Sequence, residues 1–212
     1  MRKCLWMALS VLLVGLVAVP SSDAAFIPRL GLSVGANFQS MNDIEESSVS
    51  ETFGTQTGYN AGLFVEMGFG SWAVRPGVEY LNAGPLFDGA SFATSDFDLS
   101  YVVVPVDLKM SLPTGPVSPY AFTGPEFRVL ASAGDAPADL EEGLKDFGVN
   151  WSFGMGIAMG APGPGLKFAP EVRYSRDLSG VTNEEFEFDG TTITTESTQK
   201  AHSFRAALKV LF

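Results

Sequence analysis

The sequence predicts an all-β chain, an eight-stranded antiparallel up-and-down transmembrane β-barrel with short periplasmic turns and long external loops. Three observations predict it. Residues 204–212 alternate down to an aromatic end: Phe204, Ala206, Leu208, Val210 and Phe212 share one face, while Arg205, Ala207 and Lys209 share the other and only Leu211 blurs the contrast. The connections between such segments alternate between short and long. Finally, the charges within the segments fall on one parity, opposite the apolar one. A barrel in lipid turns its apolar parity outward to the acyl chains and keeps charge in the lumen.

The amino terminus reads as a secretory signal peptide over residues 1–24. Arg2 and Lys3 precede a mostly apolar run over residues 5–19, followed by Pro20 and the small-residue site Ser22-Asp23-Ala24. The run is shorter than the ~20 residues a spanning helix needs, and no comparable run follows. Cleavage after Ala24 removes Cys4, the only cysteine, and leaves residues 25–212 as one barrel domain without a thiol. The leader takes Arg2, Lys3 and Asp23 with it, so of 13 basic and 24 acidic residues, eleven and twenty-three remain. An acidic chain of this kind repels nucleic acid, which is excluded as a partner.

The first strand is expected over residues 29–38, with Leu30, Leu32, Val34, Ala36 and Phe38 outward. The second, residues 58–69, shows Tyr59, Ala61, Leu63, Val65, Met67 and Phe69 to lipid, with Asn60, Gly62, Phe64 and Glu66 inside. In the third, residues 72–81, Trp72, Val74, Pro76, Val78 and Tyr80 face out and Arg75 and Glu79 face in. The fourth, residues 99–112, is clearest where Val102 to Leu112 on even positions alternate with Asp107 and Lys109. The fifth, residues 120–130, is ambiguous by hydropathy, because Tyr120 and Phe122 share parity with Glu126 and Arg128. Superposing Pro76-Gly-Val-Glu79, Pro125-Glu-Phe-Arg128 and Pro170-Glu-Val-Arg173 places Glu126 and Arg128 inside. The sixth, residues 147–159, sets Phe147, Val149, Trp151, Phe153, Met155, Ile157 and Met159 against glycine and small polar residues. The seventh, residues 166–175, carries Lys167, Glu171 and Arg173 inside, and residues 204–212 form the eighth. Prolines 76, 105, 125 and 170 each remove a ladder donor. Pro105 is a candidate for a change of parity within its strand.

Short connections follow the second, fourth and sixth strands, and long ones, residues 39–57, 82–98, 131–146 and 176–198, follow the others. Eighteen acids lie in or at the edges of the long loops, Asp177 among them, with Lys145, Arg176 and Lys200 for company. The remaining five acids and eight bases take inward positions. An interior ion-pair network of Glu66, Arg75, Glu79, Asp107, Lys109, Glu126, Arg128, Glu171, Arg173, Arg205 and Lys209 is expected, with Arg29 and Lys167 also inward. Opposite parity would place several of these charges in hydrocarbon at about 2–4 kcal/mol each near the midplane. An eight-stranded barrel is only wide enough for side chains to fill, so the network either fixes the barrel or gates a narrow water path.

No catalytic residue, cofactor site or metal ligand is assigned. His202, the only histidine, lies on the lipid-facing parity, and Ser203 lies on the opposite one, against a Ser-His-Asp arrangement. Gly154, Gly156 and Gly160 alternate within a strand and no helix follows, unlike a dinucleotide-binding loop. Tyr59, Trp72, Tyr80, Trp151 and Tyr174 suit interfacial girdles. The acidic loops, densest at Asn183-Glu-Glu-Phe-Glu-Phe-Asp189, read either as solvated surface or as recruiters of divalent cations or a protein partner, the cations bridging to lipopolysaccharide phosphates.

Several stretches resemble the PorT-like outer-membrane β-barrel family, related to the OmpA/OmpX-like small barrels. Tyr101-Val-Val-Val-Pro-Val-Asp-Leu-Lys-Met110 is similar to its Y-L-E-I-P-L-L-L-K-Y strand, with Asp107 departing from an apolar position. Gly124-Pro125 with Leu130 resembles its A-G-P…LL strand. Asp146-Phe-Gly148 leading to Gly154-Met-Gly156 resembles its D-F-G…G-A-G strand, and residues 58–64 its G-x-x-x-G-L-F strand. The resemblance implies a monomeric, non-enzymatic barrel of the Gram-negative outer membrane, in contact with lipid and lipopolysaccharide. It also implies that the strand ending at Phe212 is read by the barrel-assembly machinery. A structural envelope or surface-interaction role through the acidic loops is the leading expectation. A narrow porin-like channel, a barrel associated with a secretion system and a soluble lipocalin-like barrel of opposite polarity remain as alternatives.

Overall fold

The structure, a computed structural model, describes residues 28–41, 44–46, 49–51, 56–84, 99–112, 114–132, 146–160, 165–179, 185–188, 191–194 and 201–212. The expected leader and most of the four long connections lie outside the described residues. Eight long strands alternate their side chains between lumen and exterior: β1 (Pro28–Met41), β4 (Gln56–Phe69), β5 (Trp72–Gly84), β6 (Leu99–Ser111), β7 (Val117–Ser132), β8 (Phe147–Gly160), β9 (Lys167–Asp177) and β12 (Ala201–Leu211). They close antiparallel into one barrel in the order β1-β12-β9-β8-β7-β6-β5-β4. Two short hairpins that the periodicity did not reveal sit in the long connections, β2 (Ile44–Glu46) with β3 (Val49–Glu51), and β10 (Glu185–Phe188) with β11 (Thr191–Thr194).

The barrel is inside-out relative to a soluble one. Leu30, Val34, Leu63, Phe153 and Met155 are more than half exposed on the outer wall, while Arg75, Glu126, Asp107 and Asp177 are at most 2% exposed within it. Outward aromatics meet across neighbouring strands toward the external end: Phe38 lies 6.4 Å from Phe204, Phe153 lies 5.2 Å from Tyr174, and Tyr59 lies 6.0 Å from Tyr80. That belt is the interfacial arrangement expected where bilayer hydrocarbon gives way to headgroups.

Closure follows from short turns at one end. Gly70 and Ser71 join β4 to β5, and Gly70 takes φ of 66°, which the mirror-image turns of two-residue hairpins require at their first central position. Register is constant through the prolines. Pro76 pairs with Val106 and Glu79 with Val103 in one register, and Pro105 pairs with Glu126 in the same register that sets Leu108 beside Thr123. Pro105 therefore does not change the parity of its strand: Tyr101, Val103, Pro105, Asp107 and Lys109 are all buried on the lumen side. The irregularities lie at the external ends instead, between Asn82 and Gly84 and between Ser100 and Tyr101.

The ambiguity of the fifth segment resolves inward. Tyr120 and Phe122 are each 4% exposed and form a lumenal cluster with Phe64, Ala169 and Leu211. Leu211, the residue that blurred the alternation of the last strand, thus belongs inside. Glycines make room for these rings. A methyl added at Gly31 would fall 2.2 Å from the Phe64 ring, one at Gly154 would fall 2.4 Å from Phe122, and one at Gly156 would fall 2.4 Å from the Tyr120 hydroxyl. Large and small side chains therefore interdigitate across the lumen, as a filled small barrel demands. Gly154→Val should lower the temperature of the heat-induced gel-mobility shift in detergent, with overpacking costing about 1–3 kcal/mol. Gly160→Val, where no atom lies within 4 Å of an added methyl, should leave the transition unchanged.

Candidate functional site: the charged lumen and its two mouths

Midway along the lumen, four cations and four anions from five strands lock together. Arg75 meets Asp107 at 2.8 Å and Glu171 at 2.7 Å. Arg173 meets Asp107 and Glu126 at 2.6 Å each and Glu171 at 3.4 Å. Arg205 bridges Glu126 and Glu79, the latter at 3.2 Å, and Lys209 bridges Glu79 at 3.3 Å and Glu171 at 3.6 Å. Strand alternation directs all eight inward, and β8 supplies none of them. Its glycines and Ser152 leave the space that the long side chains of β7 and β9 occupy. The octet is charge-balanced, and each of its members is at most 4% exposed.

Aromatic faces take over part of the solvation that water gives such charges elsewhere. The Arg75 guanidinium carbon lies 4.9 Å from the Phe122 centroid and 5.5 Å from that of Phe64. Arg173 lies 4.6 Å from Phe122, and Lys209 Nζ 4.8 Å from Phe64. At these separations the ring quadrupole attracts the cation, the more so when it is desolvated. The Tyr120 hydroxyl donates to Glu171 at 3.1 Å, tying the aromatic cluster to the octet.

One ion pair flanks the octet on each side. Toward the periplasmic turns, Lys109 Nζ lies 2.6 Å from Glu66 and 4.2 Å from the Tyr120 centroid. Toward the external loops, Arg128 lies 2.8 Å from Asp177, with its guanidinium carbon 4.9 Å from the Tyr101 centroid. All eleven candidate residues, from Glu66 to Lys209, thus point into the lumen and take part in an ion pair. Asp177 departs from the sequence reading, which placed it in a loop. It continues the inward parity of Glu171, Arg173 and Ser175, is fully buried, and also accepts from the Ser179 amide at 3.0 Å. Extending the alternation by two residues would have found it. Arg176, expected in the same loop, is instead the penultimate residue of β9, on the outer wall opposite Trp151 and His202. Among the described residues, Arg29 and Lys167 are the inward cations left outside the network, half-buried at the periplasmic mouth.

His202 lies on the outer face, its Nδ1 3.0 Å from the Tyr174 hydroxyl and its ring stacked on that residue at 17°. Ser203 is buried on the opposite face. The two side chains point to different sides of the wall, so Ser203 and His202 do not form a nucleophile and base in reach of one another.

Glu171→Ala leaves the octet with one excess positive charge and deprives Tyr120 of its acceptor. The expected cost is about 3–5 kcal/mol, read as a lower temperature for the heat-induced gel shift. Adding Lys209→Met to this variant, which restores neutrality, should recover part of the loss. An unchanged transition in Glu171→Ala would remove the network from the account of stability.

Comparison with solved structures gives the same architecture. The chain is similar to Neisserial surface protein A (NspA), with a TM-score of 0.50 at 12% identity over 86% of this chain and 97% of that one. It also matches OprG from Pseudomonas aeruginosa with a TM-score of 0.47 at 14% identity over 88% of this chain and 95% of that one. No curated protein matches the chain. Residues 21–183 match the family described as the outer membrane protein beta-barrel domain, and the chain belongs to that family.

Proposed function

We propose that this outer-membrane barrel is a non-enzymatic mount that presents its acidic external loops to partners at the cell surface. The observation that carries this reading is the filled lumen. A charge-balanced octet packed on three aromatic rings occupies the interior of an eight-stranded wall, which has little width to spare for a path beside it. With the interior committed to packing, the external connections are left to carry recognition, as loops on a rigid scaffold commonly do. Their acids favour partners with cationic surfaces, or divalent cations bridging to lipopolysaccharide phosphate. The separation of His202 from Ser203 supports the absence of hydrolytic chemistry.

In this reading residues 1–24 direct secretory export and are removed, and the strand ending at Phe212 engages the barrel-assembly machinery. The monomeric mature chain contacts outer-membrane lipid and lipopolysaccharide through its apolar wall. The strand over residues 101–110 and the Gly58 to Phe64 motif favour PorT-like kinship within the broader family. A role beside a secretion system would be one use of such a mount.

Fractionation and planar-bilayer recording test the proposal together. The protein should partition with the outer membrane, show heat-modifiable mobility and give no sustained conductance steps. Replacing residues 180–199 by a short Gly-Ser connection should preserve the heat-modifiable band while abolishing divalent-cation-dependent retention on lipopolysaccharide vesicles. Steady single-channel conductance from the wild-type chain would overturn the mount in favour of a narrow channel.

A further inference from the structure

The lumen is neutral tier by tier until its periplasmic end. The octet balances, Arg128 balances Asp177, and Lys109 balances Glu66. Below them a cavity of about 350 Å³ opens between the turns, lined by Arg29, Lys109 and Lys167 with Glu66 as its single acid. Arg29 is the cross-strand neighbour of Glu66, yet Glu66 is engaged by Lys109, and neither Arg29 nor Lys167 forms an ion pair among the described residues. The turns cannot supply the missing anion. Residues 70–71, 112–116 and 161–166 contain no aspartate or glutamate. Even with the carboxylate of Phe212 counted at this rim, the cup keeps net positive charge, in a chain whose formal charge is −11.

The cup has the other attributes of a small-ligand site. Leu211, 2% exposed and a member of the aromatic cluster, lies in its lining, so that cluster borders the cavity on the lumen side and gives it an apolar wall. Ser71, in the turn after β4, and Ser111 and Ser118, which flank the turn between β6 and β7, also line it. A concave site of this size, part apolar with few convergent polar groups, is the usual form of a small-molecule pocket. Low-dielectric walls concentrate the field of its cations.

We propose that the periplasmic mouth is a binding cup for a small anion bearing phosphate or carboxylate groups, held by Arg29 and Lys167. The anion completes the charge balance that the rest of the lumen achieves internally, and it binds from the periplasm. The cup operates whether or not the external loops bind a partner, because the octet and the aromatic cluster separate the two ends.

The full mature chain, refolded into phosphatidylcholine nanodiscs, is titrated with inorganic phosphate and with succinate at fixed ionic strength, with sodium chloride as reference. Backbone amide NMR shifts are followed. Saturable shifts are expected at Ser71, Ala73, Ala158 and Leu211, with none at Asn150 at the external end. Arg29→Gln with Lys167→Gln should weaken binding about tenfold or more, since two charge-assisted contacts are lost. Glu66→Gln should strengthen it, by freeing Lys109. The opposite directions separate a binding effect from misfolding, and heat-modifiable mobility checks each variant. In nanodiscs containing phosphatidylglycerol, unchanged affinity supports a soluble periplasmic anion. Loss of phosphate binding there, with the cup amides already shifted, supports a lipid headgroup as the source of the same phosphate. Shifts that do not saturate, that chloride reproduces, or that persist in the Arg29/Lys167 variant would overturn the cup.

Discussion

The octet of Arg75, Arg173, Arg205 and Lys209 with Glu79, Asp107, Glu126 and Glu171 is the constraint on which the barrel depends. Charges removed from water lose several kcal/mol of solvation each, and only near-complete mutual pairing offsets this. Each cation of the octet touches at least two anions, and aromatic faces cover much of what remains. The arrangement specifies more than it stabilises. A slip by one residue of any of the five strands that carry the octet would turn its charge out to lipid and its apolar face into the network. Register, closure and polarity across the wall are thus enforced by the same side chains.

The remaining features follow from accommodating that network in a narrow tube. Gly154 and Gly156 on β8 exist opposite Phe122 and Tyr120 because rings that shield guanidinium groups need depth. Leu211 turns inward against the hydropathic expectation of its strand because the aromatic cluster needs an apolar neighbour below it. The outer wall, released from any packing duty toward a protein core, is free to be largely apolar, with an aromatic belt near the external interface and Arg176 and His202 at its external end.

Most of this architecture is legible in the sequence because a period of two leaves only one binary choice per strand, and the charges decide it. Glu126 and Arg128 fix the side for Tyr120 and Phe122 even where hydropathy is silent. What escapes the pattern is local or long-range. The extent of β9 depends on Asp177 finding Arg128 across the lumen, a pairing of residues 49 apart that no window on one strand contains. The hairpins β2–β3 and β10–β11 lie in acidic, weakly alternating stretches where turn signals dominate. Which cation meets which anion is likewise set by barrel closure, and Pro105 reads as a disruption only until the ladder on its β7 side shows an unbroken register.

The octet also bears on how the wall can be completed. Arg205 and Lys209 reach back to Glu79 across 126 and 130 residues, and Arg205 reaches Glu126 across 79. Until β12 docks, Glu79 has neither of its partners, and the octet is two positive charges short. A half-built sheet of the earlier strands would carry that deficit into the bilayer, where an unpaired carboxylate is expelled toward water or neutralised by a proton. The last strand is thus both the final hydrogen-bonding edge and the delivery of the missing counterions. Lateral closure and drying of the interior become one event, and intermediates lacking β12 are disfavoured by electrostatics before any backbone ladder is counted.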